Sequence, residues 1–443
     1  MADANTTDTA AENVPATTSR GTFLRRTGRG AAGLALAGAL PAALNHGGGL
    51  ATVSFASGSL NVSYWTNVTP LKDLQAVFNG FAKSSGVNVV YNPLPAVFGD
   101  DVQKLTTALS SGYTGYDVLW LDDFMTGTFS NAGWLEPLET IVPRETQMSV
   151  PPATIKLSTY NGHLYRVPGN AGDVLFFYRK DLFAKAGLSV PQTWNDIVKA
   201  GKALTKGGRY GIGFAGKNGN TELFNEMCYW MGQAGADPLH LKTPGARTAL
   251  KFVYDMLNTY KIMPADTVTA DYTSLQAGFL DSRFAMWPVW DGFYGAFQAN
   301  ALMSKPGVLG ISTPPRGPAN NTSITASWGW AISKYSKNKD LAAKFIQYAT
   351  GAASEEMLVL TGSAPARTSV LSVPSVTKAL HQAPFLAQYA KQGLTHSRPI
   401  TGQAQRISDA FETVINQYLN RKLTLDDAIN QGQQRIDQIL QNS

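Results

Sequence analysis

From residue 59 the chain alternates two hydrophobic rhythms, and their alternation predicts an α/β fold. Short β-rich runs are separated by stretches whose apolar residues return every three or four positions. LNVSYWT (60–66) reads as a strand. PLKDLQAVFNGFAKSSG (70–86) reads as a helix, with Pro70 in its first turn and Gly86 past its end. VNVVYN is a second strand and DDVQKLTTALSSG a second helix. YDVLWLDD (116–123) is a third strand, whose unbroken apolar run suits a buried parallel position. Further strands are expected in DVLFFYRKD, YGIGFAG, RFAMWP, GVLGIST and SITASWGWAIS. Helices are expected at about 193–205, 221–234, 245–259, 339–350, 376–391, 404–419 and 425–441. A βαβαβ start, a second strand cluster and a helical end predict two α/β lobes. Ligands of such folds sit where strand-end loops converge or where lobes meet.

The 443 residues, 44% hydrophobic, suffice for two or more units with large cores. The net charge of +6 is mild, and it falls only to +5 when residues 1–50 are set aside with their four Arg and three acids. Lys and Arg are scattered singly among Asp and Glu rather than gathered on a stripe, which argues against a nucleic-acid partner.

The N-terminus has its own character. Residues 2–18 are polar and aperiodic, the composition of a disordered segment. SRGTFLRRTGRG then supplies four arginines before AAGLALAGALPAAL (31–44), an apolar run of export-signal length and too short to span a bilayer. Ser19, Arg20, Thr22, Phe23 and Leu24 fit the twin-arginine pattern, but Gly21 stands where the second arginine belongs. Cys228 is the only cysteine, so no cysteine follows the apolar run to carry a lipid. Its setting in NEMCYWMG predicts a small buried residue rather than a nucleophile. The expected product is an exported, periplasmic or extracellular monomer without a cysteine-linked anchor.

Several blocks together resemble a known family: KLTTALSSGYTGYDVLWLDD, NAGWLEPLE, NGHLYRVPG, FFYRKDLFAKAGLSVPQTWNDIVKAGKALT, AMWPVWDG, SKNKDLAAKFIQYAT and TGSAPAR. In this order they are similar to the extracellular carbohydrate-binding proteins that deliver sugars to ABC transporters, from about residue 59 to the end. The resemblance implies a two-lobed periplasmic-binding-protein fold. One lobe would comprise about 51–172 and 308–362, the other 173–307 and 363–443, joined by hinge strands that close on the ligand. It also implies two partners, a carbohydrate ligand and the membrane permease subunits of an importer. No cofactor is implied.

A pyranose has an apolar face and a rim of hydroxyls, so its sites pair aromatic plates with carboxylates, amides and arginine. Nine tryptophans, several beside Asp, Asn or Gly at expected strand ends, supply that combination. Trp65 and Asn67 follow the first strand on one face, and the resemblance opens that segment into the cleft; Trp65 capping the core is the alternative. Asp122 matches a sugar-binding acid, with Asp123 as a helix cap. In FAMWPVWDG, Pro288 is expected to stop strand pairing, freeing Trp287 and Trp290 to project into the cleft. The resemblance places a stacking tryptophan there without saying which of the two it is. Trp328 and Trp330 share a face; Trp328 matches the cleft aromatic, and Trp330 suits the core. Arg367 matches a donor to hydroxyls. Asp173, Glu222, Asn225 and Trp230 are further matches, with Glu222 and Asn225 three apart on one helix face.

Enzyme readings find less support. A glycosidase needs two facing carboxylates, which Asp122, Glu222 and Asp291 supply only in principle. The five His have no metal-ligand spacing, no G-x-S-x-G or P-loop occurs, and there is no Tyr-Tyr pair of the kind iron binding favours. A binding protein is therefore expected. A non-sugar solute (a polyamine, iron or glycerol phosphate) is the alternative, and a secreted glycoside hydrolase a weaker one.

Overall fold

The computed structural model describes residues 58–64, 71–95, 98–147, 150, 152–359 and 365–442. The expected export leader, residues 1–50, lies outside the described residues, and so do Trp65 and Asn67.

In chain order the strands are β1 (Ser59–Tyr64), β2 (Asn88–Pro93), β3 (Val118–Asp122), β4 (Thr159–Tyr160), β5 (His163–Leu164), β6 (Val167–Pro168), β7 (Gly172–Arg179), β8 (Tyr210–Ile212), β9 (Phe284–Trp290), β10 (Leu309–Ser312), β11 (Ser323–Ala326), β12 (Trp328–Ile332) and β13 (Thr395–Ser397). They form two main sheets. The first has the order β2-β1-β3-β12-β6; the second has β13-β11-β7-β9-β8, with β10 also paired to β7.

The βαβαβ start is present. β1 runs parallel to β2 and β3, through the helices Leu71–Ser85 and Phe98–Ser110. β3 lies between β1 and the antiparallel β12, and all five of its residues are buried, which accounts for its unbroken apolar run. In the second sheet β7 presents Val174, Phe176 and Tyr178 to one core and Leu175 and Phe177 to another, the alternation a strand covered on both faces requires.

Most expected helices occur nearly as read. Trp194–Leu204 opens with a reciprocal cap between Thr193 and Asp196, and Ala404–Leu419 and Leu425–Gln441 fill the C-terminal end. The helix expected at 376–391 is two, Pro374–Ala379 and Ala383–Gln392, because Pro384 is accommodated only in a first turn. The one expected at 245–259 is α-helical over Pro244–Tyr254 and loosens to a π turn over Asp255–Thr259.

Three strand expectations are corrected. β9 continues through Pro288, which pairs with Phe176 of β7. On its other side β8 ends at Ile212, opposite Met286, so beyond that point β9 is an edge where a missing N–H is tolerated. SITASWGWAIS is two strands in two different sheets, β11 and β12, parted by Ser327 alone. Finally, β10 and β11 pair with β7, so the chain returns to the first sheet near residue 327 rather than at 308.

The passages between sheets lie side by side. The segment from β6 to β7 is zipped to that between β11 and β12: Gly169 N and Asn170 N donate to Trp328 O at 2.9 and 3.1 Å, and Trp328 N donates to Asn170 Oδ1 at 2.8 Å. A Cβ on Gly169 would come within 2.7 Å of the Trp120 ring and 2.9 Å of Trp330 Nε1, so only glycine fits there. Asn170 also bridges to Pro365.

Candidate functional site

Where β3 ends, two consecutive acids begin the helix Asp123–Asn131. Asp122 is its N-cap and accepts from Phe124 N at 2.8 Å. The same carboxylate receives Arg398, which follows β13 in the other sheet. Arg398 Nη2 also donates to Asp123 Oδ1 at 2.6 Å, Nε to Asp123 Oδ2 at 3.2 Å, and Nη1 to Asn225 Oδ1 at 3.3 Å. All four residues are buried. The planar guanidinium suits such a set of acceptors, and its carbon lies 5.5 Å from the Phe124 ring centre.

Burial raises the Asp122 pKa above the usual carboxylate range, with Asp123 adding to the rise and Arg398 opposing it. For Arg398, burial works against the charge, but the two aspartates outweigh it and hold the proton more firmly than usual. A second buried cation, Arg166, braces the crossing between sheets. It donates to Thr126 Oγ1 at 2.7 Å and to the carbonyls of Leu121, Leu157 and Ser327, each at 3.0 Å. Burial brings its pKa down to about 10 against the pull of Asp123 and Asp122. Asp123 completes the brace by accepting from Ser327 N at 2.8 Å and donating its own N–H to Ser327 O at 2.9 Å.

An aromatic wall adjoins this polar knot. Trp328 stands directly opposite Asp122 in the β3–β12 ladder, a pairing that places two side chains on one face. Its ring stacks on Trp120 with centres 6.4 Å apart. Phe98 meets Trp328 edge-on at 6.0 Å and Phe124 at 6.4 Å, while Phe124 meets Phe224 at 6.0 Å. Phe98 and Trp328 are only half-buried. A half-exposed indole beside a capped carboxylate and an arginine from the opposite sheet can stack on an apolar ring face and bond its hydroxyl rim.

A family profile described as bacterial extracellular solute-binding protein matches residues 65–356. The chain belongs to that family. Among its relatives are a probable ABC transporter-binding protein of Deinococcus radiodurans, 24% identical over 78% of this chain and 84% of that protein, and a mannitol-binding protein of Pseudomonas aeruginosa, 27% identical over 62% of this chain and 64% of that protein. The fold is shared with maltose-bound MalE3 of T. maritima (TM-score 0.75, 22% identity, 86% of this chain and all of that one). It is also shared with a solute-binding protein of Thermotoga lettingae bound with α-D-tagatose (TM-score 0.77, 23% identity, 87% of this chain and all of that one). The architecture is therefore the two-lobed one, with a sheet in each lobe.

Within this solute-binding fold the expected site residues separate. Asp122, Asn225 and Trp328 come together around Arg398 and Phe98. Trp290 is half-buried at the end of β9, beside the buried Asp291. Asp173 lies across the β7–β9 ladder from these two, and burial lifts its pKa to about 6. Glu222 accepts from Tyr272 N at 2.6 Å, and burial lifts its pKa to about 7.

Three expectations are corrected. Trp287 has no exposed surface, since its ring is packed among Phe279, Phe293, Phe297 and Tyr272 at 5.2–6.3 Å. The strand that was expected to break at Pro288 continues, so alternation turns Trp287 into the core. Trp230 is a core ring as well, against Trp194, Tyr229 and Phe252. Arg367 turns to the helix ends beside it: its Nη2 and Nε donate to Thr350 O at 2.6 and 3.2 Å, and its backbone N–H to Glu355 at 2.9 Å.

The sequence reading missed Arg398, Phe98 and Phe124. Arg398 lies in HSRP, where the one local signal is an arginine before a proline at a strand end, and its acidic partners are 275 and 276 residues away. Phe98 opens the helix Phe98–Ser110, two positions before the DDVQKLTTALSSG run from which that helix is read. Among the described residues, no His/Cys/Asp/Glu group is arranged to hold a metal ion, and no helix is long and apolar enough to cross a membrane.

Proposed function

We propose that this protein captures a neutral carbohydrate or polyol between its lobes and delivers it to the permease subunits of an ABC importer. One observation carries the reading: Trp328 stands opposite Asp122, and Asp122 is held by an arginine from the other lobe. That arrangement joins a stacking plate, a hydroxyl acceptor and a donor across the line where two lobes close. Names of relatives add support, since they include binding proteins for mannitol and for erythritol and L-threitol.

The lobes would comprise about 58–169 with 328–359, and 172–326 with 367–442, hinged at the paired crossings beside Asn170 and Ser327. The protein would act as an exported monomer, without a cysteine-linked lipid, a nucleic-acid partner or turnover of its ligand. Trp290, Asp173 and Glu222 would line the second lobe's side of the cleft.

A thermal-shift screen of the purified protein against neutral mono- and oligosaccharides and polyols tests this. A true ligand at a hundredfold excess over its dissociation constant stabilises by about 2.7 kcal/mol, and it is recovered chemically unchanged. Absence of any shift across the panel, or release of reducing ends in proportion to protein, would refute it.

A further inference from the structure

The helix Phe98–Ser110 begins with two acids of opposite environment. Asp100 is exposed, as acids in a first helical turn commonly are. Asp101 is 0% exposed, and neither of its carboxyl oxygens has a hydrogen-bond partner. Burying a carboxyl without a partner is costly, and most buried polar groups are satisfied. Asp101 lies three residues beyond Phe98, on the same helix face as the ring that meets Trp328 and Phe124. It is also close enough to Asp122 for the two charges to repel.

We infer that Asp101 reads the ligand: its buried, unpartnered carboxyl beside Asp122 and Phe98 is the group that a ligand hydroxyl completes. The inference rests on the carbohydrate reading above and assigns that site a residue which the sequence blocks did not single out.

The local charge balance favours a neutral ligand. Asp122 and Asp123 are matched by Arg398 and Arg166, whereas Asp101 has no cation bonded to it; the nearby Lys104 donates instead to Pro93 O at 2.7 Å. Burial first, and Asp122 second, push the Asp101 pKa up to about 8, so at neutral pH the carboxyl keeps its proton. A protonated carboxyl donates one hydrogen bond and accepts others, and a hydroxyl does the same. A ligand carboxylate or phosphate could accept that hydrogen bond too, but it would bring an unmatched negative charge beside Asp122.

The test compares wild type, Asp101→Asn and Asp101→Leu by calorimetric titration and by melting without ligand. The probe is whichever of maltose, D-mannitol and D-tagatose wild type binds most tightly, with D-glucosamine as the amine-bearing control. Removing an unsatisfied acid should leave the ligand-free melting temperature unchanged or raised in both variants. Affinity for the neutral probe should fall about tenfold in Asn and about a hundredfold in Leu, because a site built to bond a hydroxyl loses its partner. A purely structural aspartate would lower melting instead, and that result overturns the inference. So does unchanged affinity in both variants, or a loss confined to D-glucosamine. If wild type binds no neutral carbohydrate, the underlying reading fails first and is recognised before the variants are compared.

Discussion

Arg398 lies 2.6 Å from Asp123 although the two follow strands of different sheets, β13 and β3, and are 275 residues apart. With Asp122 they form a buried three-membered ionic contact between segments that leave the two main sheets.

Replacing Arg398 by Ala leaves two adjacent buried carboxylates without their shared cation. The expected cost is about 3–5 kcal/mol of stability, the range for breaking a buried pair from one side. Arg398→Lys keeps the charge but loses the planar fork, and should recover only part. Urea unfolding of both variants checks this; an Ala variant as stable as wild type would show that the contact is not formed in solution.

The tryptophans should divide by burial. Trp287→Ala empties a core site and should cost about 3–5 kcal/mol of stability, while the folded fraction binds sugar as before. Trp328→Ala removes a half-exposed plate and should cost little stability, but about 1–3 kcal/mol of ligand affinity, scaled from buried apolar area. Melting and titration of the two variants together decide the matter, and the opposite division would move the platform from β12 to β9.

At the crossing between sheets, Gly169→Ala places a methyl group against Trp120 and Trp330. Overpacking of this kind costs about 1–3 kcal/mol. A melting temperature equal to wild type would mean that the rings give way freely.

Acidification should stabilise the ligand-free protein. Burial raises the pKa of Asp173 to about 6, Glu222 to about 7 and Glu355 to about 8. For each, the folded form binds its proton more tightly than the unfolded chain, so the contribution is complete below about pH 4 and is lost as pH rises through the folded values. Glu136, Asp181 and Asp271 act oppositely. Burial works to raise their pKa values, but bonds to Lys339 and Lys334, to Arg179, and to Ser274 and Lys217 respectively outweigh it and lower them. Their contribution is lost only at lower pH. Melting should therefore be higher near pH 5.5 than near pH 8.5, to be read against the linkage relation, and Glu355→Gln should flatten the difference. Melting that rises steadily with pH would contradict the burial of these acids.

The regular elements were legible because each announces itself within a few residues. The heptad-like spacing of 404–419, the Thr193 cap and the apolar run of β3 are local signals, and the structure reproduces them. The errors lie where a neighbour decides. Pro288 stays in its strand because β8 happens to end opposite Met286, and nothing in FAMWPVWDG records that. Ser327 divides a strand because Arg166 and Asp123 grip it from elsewhere in the chain. Asp122 and Trp328 stood at recognisable strand ends. Arg398 and Asp101 are defined by a partner or by the lack of one, which only the folded chain reveals.

The stacking of Trp328 on Trp120, with Trp330 4.4 Å from Trp120, has an optical consequence. Three indoles so close exchange excitation, and the two that are fully buried are shielded from water while Trp328 is not. Emission from the group should thus report mainly on the environment of Trp328. A solute settling on that ring would shift the protein's own fluorescence, giving an unlabelled reading of occupancy from the lobe that contains β12.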